Sequence, residues 1–476
     1  MKLKSVLQNL QGGVGDIEIT HVTSDSRLVK DGSIFVCIKG PQNDGHDFAK
    51  SALEKGAAVI VCDRDLNLEN QVIVKDTHTA LAMLLDAQYN YPLKKLKLIG
   101  VTGTNGKTSV CNILKFILES KGHKTGLLGT VEHLVGDEVI PSNNTTPGAA
   151  ELRYLFAKMV DAGCEYAVME VSSHALDQRR VEGIEFEAGI FTNLTQDHLD
   201  YHGSMEEYFL AKAKLFEKSK RAIINIDDDY GKRLAQMVKC ECFTYSAKSD
   251  EADFTAKNIE VLQNMVKYDM AGFGVIGRIR LNISGKFSVY NSLAAAVCTR
   301  EMDISLEDIT SALSNMCGVK GRIENVPTGR DFTVIIDYAH TPDGLQNILA
   351  TFRDCEKNRL VVLFGCGGDR DKTKRPIMGA IAARLSNFVI VTSDNPRTEA
   401  PMAIIDDILK GMKGIHTPYK VIENRVDAIN YAIKTAKAGD IIILAGKGHE
   451  TYQIIGTEKF PLDEREVVKK ALEGLR

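Results

Sequence analysis

Glycine, lysine and threonine fall together in Gly103-Thr104-Asn105-Gly106-Lys107-Thr108-Ser109, a grouping suited to holding phosphate. Glycines let backbone N–H groups approach phosphate oxygens, the helix that follows presents its positive end, Lys107 adds a point charge, and the Thr108 hydroxyl can ligate magnesium. The strict pattern would need glycine at position 101, where this chain has Val101, so the loop is a shortened variant. An ordinary glycine-rich turn would not need a Gly-Lys-Thr ending between an apolar strand and a helical pattern. A second group is Glu170, which ends the apolar run Tyr166-Ala167-Val168-Met169, where a magnesium-binding acid stands in a phosphate-loop ATPase. A third lies in residues 193–202. The chain has 11 histidines, yet His198 and His202 fall within five residues of each other beside Asp197 and Asp200. By residue type alone this is a metal–phosphate cluster, a two-histidine transition-metal site, or a solvated loop capping the next helix. Lys212, in the helical pattern of residues 206–216, reads on the same grounds as a surface or phosphate-facing lysine.

Toward the C-terminus three loops follow apolar runs. One holds Gly365-Cys366-Gly367-Gly368-Asp369-Arg370-Asp371-Lys372-Thr373-Lys374-Arg375, the next Asp394-Asn395-Pro396-Arg397, and the last Gly446-Lys447-Gly448-His449-Glu450. A charge run is usually a solvated face. Placement at strand ends favours an anion or amino-acid site instead, and all three loops are expected at one edge of one sheet.

The elements that must position these groups are legible as alternation. Continuous apolar runs at residues 34–38, 58–62, 98–101, 167–169, 190–191, 222–224, 334–336, 360–364, 389–391 and 441–444 alternate with helical patterns. That is an α/β chain with mostly parallel sheets. Polar breaks at residues 91–95 and 324–330 divide it into three expected domains, 1–93, 94–325 and 326–476. The central one is expected as a P-loop ATPase domain with a mostly parallel sheet, and the last as Rossmann-like. The 476 residues exceed what one core accommodates. Hydrophobic content of 44% and charged content of 26% exclude a disordered chain, and a net charge of −4 gives no sign of a nucleic-acid or membrane-surface partner. No signal peptide and no membrane-spanning run of about 20 residues is read. The ten cysteines are scattered, as reduced thiols of a cytosolic protein would be, with no structural metal site.

Taken together, Gly103–Thr108, Glu170-Val171-Ser172-Ser173-His174, Asp197-His198-Leu199-Asp200 and Ala211-Lys212 resemble the Mur ligases in order and spacing, and the likeness runs essentially the full length. The family makes amide bonds in bacterial cell-wall synthesis at the expense of ATP. The resemblance implies ATP contacts at Gly103, Thr104, Asn105, Gly106, Lys107, Thr108, Ser109, Asn291, Arg322 and Asp337. It implies that Ser24, Ser26, Pro41, Gln42 and Asn43 meet a UDP-sugar, and that Asn144, Thr145, Thr146, Ser172, Gln178 and Arg180 hold the muramoyl-peptide. It makes Lys107, His198 and Lys212 catalytic, with Lys212 carbamylated, so that Thr108, Glu170, His198 and Lys212 serve magnesium. Asp394-Asn395-Pro396-Arg397 is similar to the signature of members that add meso-diaminopimelate, and the likeness carries Arg370, Asp394, Asn395, Pro396, Arg397, Gly446 and Glu450 as contacts to that amino acid. Chemistry agrees: diaminopimelate differs from lysine by one carboxylate, which an arginine fork can bind, while Asp394 and Glu450 can hold ammonium groups.

The expected reaction phosphorylates the glutamate side chain of UDP-N-acetylmuramoyl-L-alanyl-D-glutamate, after which an amine of meso-diaminopimelate attacks the acyl phosphate. ATP and Mg2+ are the expected cofactors, in a cytoplasmic monomer with no nucleic-acid or membrane partner. The alternatives are a lysine-adding ligase of the same family, a folylpolyglutamate synthase-like ligase, and a non-enzymatic nucleotide-binding scaffold. The N-terminal segment argues against the second, and the presence of Glu170, His198 and Lys212 against the third.

Overall fold

Apolar runs without polar alternation are stable as strands only when both faces are covered, and the central strand shows the consequence. Along Lys97–Thr102, Leu98 points into one core with Ala167 and Met169, while Ile99 and Val101 point into the opposite core with Val168 and Ile190. Each such side chain withdrawn fully from water contributes roughly 1.5–3 kcal/mol. The computed structural model describes residues 2–7, 17–40, 43–142, 144–262, 265–316, 318–353 and 358–474.

The largest sheet has 11 strands. From one edge they are Val275–Leu281, Val266–Gly272, Phe254–Val261, Glu241–Ser246, Ser219–Asn225, Phe186–Phe191, Lys97–Thr102, Tyr166–Glu170, Thr125–Leu128, Glu132–Val135 and Glu138–Pro141. The strands from Phe254–Val261 through Thr125–Leu128 run parallel, and an antiparallel ribbon finishes each edge. Helices Lys107–Ser120, Lys286–Arg300 and Leu306–Asn315 cover one face, and Ala149–Asp161 the other. The edge ribbons were not anticipated from the apolar runs. The helix expected over 206–216 is Met205–Ala213, because the chain turns through Phe216–Lys218 into the strand that starts at Ser219.

Four parallel strands, Val22–Thr23, Ile34–Val36, Val59–Cys62 and Gln71–Ile73, form the N-terminal sheet. It is fastened to the central unit by two ion pairs. Arg179 grips Asp76 at 2.6 Å, and Arg153, wholly buried, meets Asp86 at 3.1 Å. The C-terminal sheet has six strands in the order Glu324–Val326, Thr333–Asp337, Ile441–Ala445, Leu360–Phe364, Phe388–Val391 and Tyr419–Val421, parallel except at the first. Ile441–Ala445, the last of these in the chain, inserts between the second and the third. A ribbon of Tyr452–Ile455 and Glu458–Pro461 lies beyond it. Among the described residues no helix is long and apolar enough to cross a membrane, and Cys37, Cys62, Cys111, Cys164, Cys240, Cys242, Cys298 and Cys366 are free thiols.

Candidate active site

Strand register assembles the phosphate site. Val101 pairs with Glu170 and Thr102 with Phe191, so three parallel strands deliver their carboxyl ends to one point. The chain leaves Thr102 through Gly103 and Gly106, whose φ of +90° caps helix Lys107–Ser120. A Cβ at position 106 would lie 2.5 Å from Asn291 Oδ1. Glycine there serves both the left-handed turn and the close approach of helix Lys286–Arg300.

The Lys107 ammonium donates to Gly103 O at 3.0 Å and Thr104 O at 2.9 Å. The Thr108 hydroxyl donates to Glu170 Oε1 at 2.9 Å, and Glu170 also accepts from the Thr130 N–H and hydroxyl. This pairing of a hydroxyl with a carboxylate at the end of a phosphate loop suits a hard cation completed by phosphate oxygens and water. Among the described residues no three His, Cys, Asp or Glu side chains are grouped as a metal site.

Lys212 is 2% exposed; its amine donates to Gly103 O at 2.9 Å and lies 4.5 Å from the centre of the Tyr208 ring. Burial, reinforced by the Lys107 charge, pushes its pKa well below the usual lysine range. His198, at a φ of +54°, caps helix Leu199–His202; its ring lies 3.4 Å from Asp197 and packs edge-on against His174. Burial lowers its pKa as well.

Beside the loop a cavity of about 570 Å³ is lined by residues 104–109, Glu170, Asn291, Arg322 and Asp337. The structure thus gathers the expected nucleotide residues other than Gly103 around one cavity. Arg322 donates to the Thr108 hydroxyl at 3.0 Å with its guanidinium over the Tyr338 ring. Asp337 accepts from Ile323 N–H and Ala339 N–H, both at 2.8 Å, and so shapes the loop that carries Arg322. Asp227, Tyr290 and Lys248 line the same cavity, with Tyr290 donating to Asp227 at 2.8 Å. Sequence reasoning missed them, and helical or strand spacing alone offered no signal.

Thr146, Ser172, Gln178 and Arg180 form one hydrogen-bonded network. Thr146 and Ser172 bond through backbone and hydroxyl, and Arg180 donates to Thr146 O at 2.9 Å and to Gln178 Oε1 at 2.6 Å. Thr145 joins through Thr130, and Asn144 is exposed. Ser24, Ser26 and Asn43 lie on the N-terminal unit, and no hydrogen bond links them to that network among the described residues. Pro41 and Gln42 lie outside the described residues.

The three C-terminal loops meet because strands Ile441–Ala445, Leu360–Phe364 and Phe388–Val391 are adjacent and parallel. Arg397, at a φ of +53°, donates to Gly368 O at 2.8 Å, and its backbone is held by Ile454 O and Gly456 N–H of the ribbon. A Cβ on Gly367 would lie 2.9 Å from Arg397 and 3.8 Å from Arg370, so two guanidinium-bearing chains converge there. Burial and the Arg370 charge push Arg397 down from the usual guanidinium range. Pro396 O lies against Gly368, leaving no room for a side chain. Asp394 and Gly446 touch: a Cβ at 446 would fall 2.6 Å from Asp394 Oδ2. Asn395 donates to Glu450 at 2.9 Å. The C-terminal unit reaches the phosphate loop directly, Asp343 accepting from Asn105 at 2.8 Å and Thr373 from Gln196 at 3.1 Å.

Residues 18–89 match the Mur ligase family, catalytic domain; 101–299 the Mur ligase middle domain; and 321–448 the Mur ligase, glutamate ligase domain. A UDP-N-acetylmuramoyl-L-alanyl-D-glutamate--2,6-diaminopimelate ligase of Caldanaerobacter subterraneus subsp. tengcongensis is 48% identical, over 99% of this chain and 98% of its own length. The chain belongs to the Mur ligase family. A protein of the same description from Bacillus licheniformis is 46% identical over 100% of this chain and 99% of its own. A solved structure of such a ligase superposes with a TM-score of 0.73 at 30% identity, covering 100% of this chain and 99% of that one. The MurF ligase of Thermotoga maritima in complex with ADP shares the fold, with a TM-score of 0.65 at 18% identity over 97% of this chain and 100% of that one. Within this family member, the residue that sequence reasoning most clearly passed over is Lys447, wholly buried among Asp394, Asn395 and Glu450.

Proposed function

We propose that this chain joins meso-diaminopimelate to UDP-N-acetylmuramoyl-L-alanyl-D-glutamate, converting ATP to ADP and phosphate, in peptidoglycan precursor synthesis. The observation that carries the amino-acid choice is the pair Arg397 and Arg370. Neither guanidinium has a carboxylate within ion-pair distance among the described residues, and Asp394 and Glu450 stand on the same sheet edge. A half-buried arginine without an anion is unfavourable, and a bidentate carboxylate relieves it. Lysine would leave it unrelieved.

ATP is taken to lie along the cavity, with its phosphates on the N–H groups of Gly103–Thr108. Thr108 and Glu170, with His198 and a carbamate on Lys212, would hold magnesium, which would neutralise charge on the phosphates when bound. Lys107 leaves its two carbonyl partners to meet the transferring phosphoryl group. The Thr146–Arg180 network holds the UDP-dipeptide so that its glutamate carboxylate attacks in line. The amine then attacks the acyl phosphate, its carbon passes through a tetrahedral state, and phosphate leaves. Contacts from the C-terminal unit to Asn105 and Gln196 keep water from that intermediate. On this reading residues 1–93 take the UDP-sugar through Ser24, Ser26 and the segment at Asn43, residues 94–325 take ATP, and residues 326–476 take the amino acid. The enzyme is a cytoplasmic monomer, a reducing setting in keeping with its free thiols.

Phosphate release from ATP, followed with the UDP-dipeptide and a panel of amino acids, tests the proposal. Release is expected to require both the UDP-dipeptide and meso-diaminopimelate, with lysine a poor substitute. Arg397→Ala is expected to raise KM for diaminopimelate about 30-fold or more and leave that for ATP unchanged. A wild-type preference for lysine would remove the amino-acid assignment and leave the ligase. No release with any amino acid would remove the ligase.

A further inference from the structure

Two carboxylates that are to hold an ammonium group repel one another when buried together, and both must be held correctly turned before substrate arrives. In this structure one buried ammonium lies within reach of both. Lys447 leaves strand Ile441–Ala445 through Gly446 and is 0% exposed. Its amine lies 2.8 Å from Glu450 Oε2, 3.0 Å from Asn395 Oδ1 and 4.0 Å from Asp394 Oδ1. Glu450 Oε2 also accepts from Asn395 Nδ2 at 2.9 Å, so that oxygen is taken twice and Oε1 is the one left to face a ligand.

Asn395 extends the reach of the lysine. Its Oδ1 accepts the Lys447 amine and, at 2.9 Å, the Ile454 N–H of the ribbon. Ile454 O in turn accepts the Arg397 N–H, and Gly456 N–H donates to Arg397 O, which hold Arg397 in its left-handed conformation. One ammonium group therefore fixes the acidic end of the pocket directly and the arginine end through three hydrogen bonds in series, by way of Asn395 and Ile454. The signs of charge are complementary as well. Asp394 and Glu450 against Lys447 leave one negative charge unmatched, the complement of one substrate ammonium, while Arg397 and Arg370 await a carboxylate.

The geometry points to Lys447 as the positioning residue of the amino-acid pocket, acting through Glu450, Asn395 and Asp394 without touching the substrate's reacting atoms. The inference rests on the amino-acid reading above. Lys447→Met keeps the length and burial of the side chain and removes only the charged donor. With the wild type first shown to use meso-diaminopimelate, the variant is expected to raise KM for that substrate about 30-fold or more, with KM for ATP and for the UDP-dipeptide within about twofold of wild type. Should Lys447→Met not fold, Lys447→Gln, which keeps an N–H for Glu450 and loses the charge, is read in the same way. An unchanged KM for diaminopimelate overturns the inference. So does an equal rise in all three KM values, or a fall in kcat alone. A wild type that refuses diaminopimelate overturns the substrate reading instead, before any variant is made.

Discussion

Lys212 is buried, donates to a backbone carbonyl, lies over a tyrosine ring and shares its surroundings with Lys107. Burial and the Lys107 charge disfavour an extra proton on the amine, and they outweigh the help that the carbonyl and the ring give to a cation. A neutral amine can take up carbon dioxide, and the resulting carbamate would turn a buried cation beside a phosphate loop into an anionic oxygen ligand. Lys212→Ala is therefore expected to lower kcat roughly a hundredfold, the usual cost of one electrostatic group lost from a transition-state cradle. Added acetate should restore part of the rate by standing in for the carbamate. Assays of kcat with and without acetate decide the matter: a folded variant with a normal rate would make Lys212 an ordinary helix lysine. Nothing in the helical spacing of residues 206–216 distinguishes Lys212 from Lys214, whose amine reaches an exposed partner, Asp177. The difference arises only when the helix packs against the phosphate loop, and so only the family resemblance singled it out beforehand.

Among elements, the loop of residues 365–373 and the helix Lys374–Leu385 that follows it depend on Glu399 from a neighbouring loop. Glu399 accepts from Asp369 N–H at 2.7 Å and from both terminal nitrogens of the buried Arg375, and pairs with Lys372 at 3.1 Å. Hydrogen bonding to Arg375 lowers its carboxyl pKa from 4.5 to about 2. Because the folded-state value lies below the unfolded one, the contribution to stability is complete above about pH 4.5 and is lost as pH falls toward about 2. Glu399→Gln should remove that segment of the acid transition and cost about 1.5–3 kcal/mol at neutral pH. Denaturant unfolding at a series of pH values checks it, and an unaltered acid limb would mean the ion pair contributes nothing. The apolar runs placed all ten expected strands, since burial on both faces leaves an unambiguous pattern. The edge ribbon Val266–Gly272 was missed although Val266, Tyr268 and Met270 alternate with Lys267 and Asp269, because half-buried alternation is short and competes with loop readings. Lys447 and the wholly buried pair Arg425 and Glu464 were not legible either. Glu450 is only three residues from Lys447, but Asn395 and Asp394 are about fifty positions away and reach it through a sheet order that inserts Ile441–Ala445 between earlier strands, and Arg425 and Glu464 are likewise distant in the chain.

For the whole molecule, the decisive contact is small. Asn105 belongs to the phosphate loop, Asp343 to helix Pro342–Arg353 of the C-terminal unit, and the hydrogen bond between them spans 238 positions of chain. Arg322, just before the first strand of the C-terminal sheet, donates to Thr108 of the same loop. A nucleotide that adjusts the loop is then expected to bias the unit that carries Asp394, Arg397 and Lys447. Thermodynamics then requires reciprocity: whatever factor a nucleotide adds to amino-acid affinity, the amino acid adds to nucleotide affinity. Affinities for diaminopimelate with and without a non-hydrolysable ATP analogue would measure that factor, and Asp343→Ala should lower it by about fivefold. Equal coupling in variant and wild type would show that this contact does not carry it. Seen this way, the asparagine of the phosphate loop would keep time: each ligand would prepare the protein for the next, and in the proposed reaction the acyl phosphate would form when the amine that consumes it is already favoured to bind.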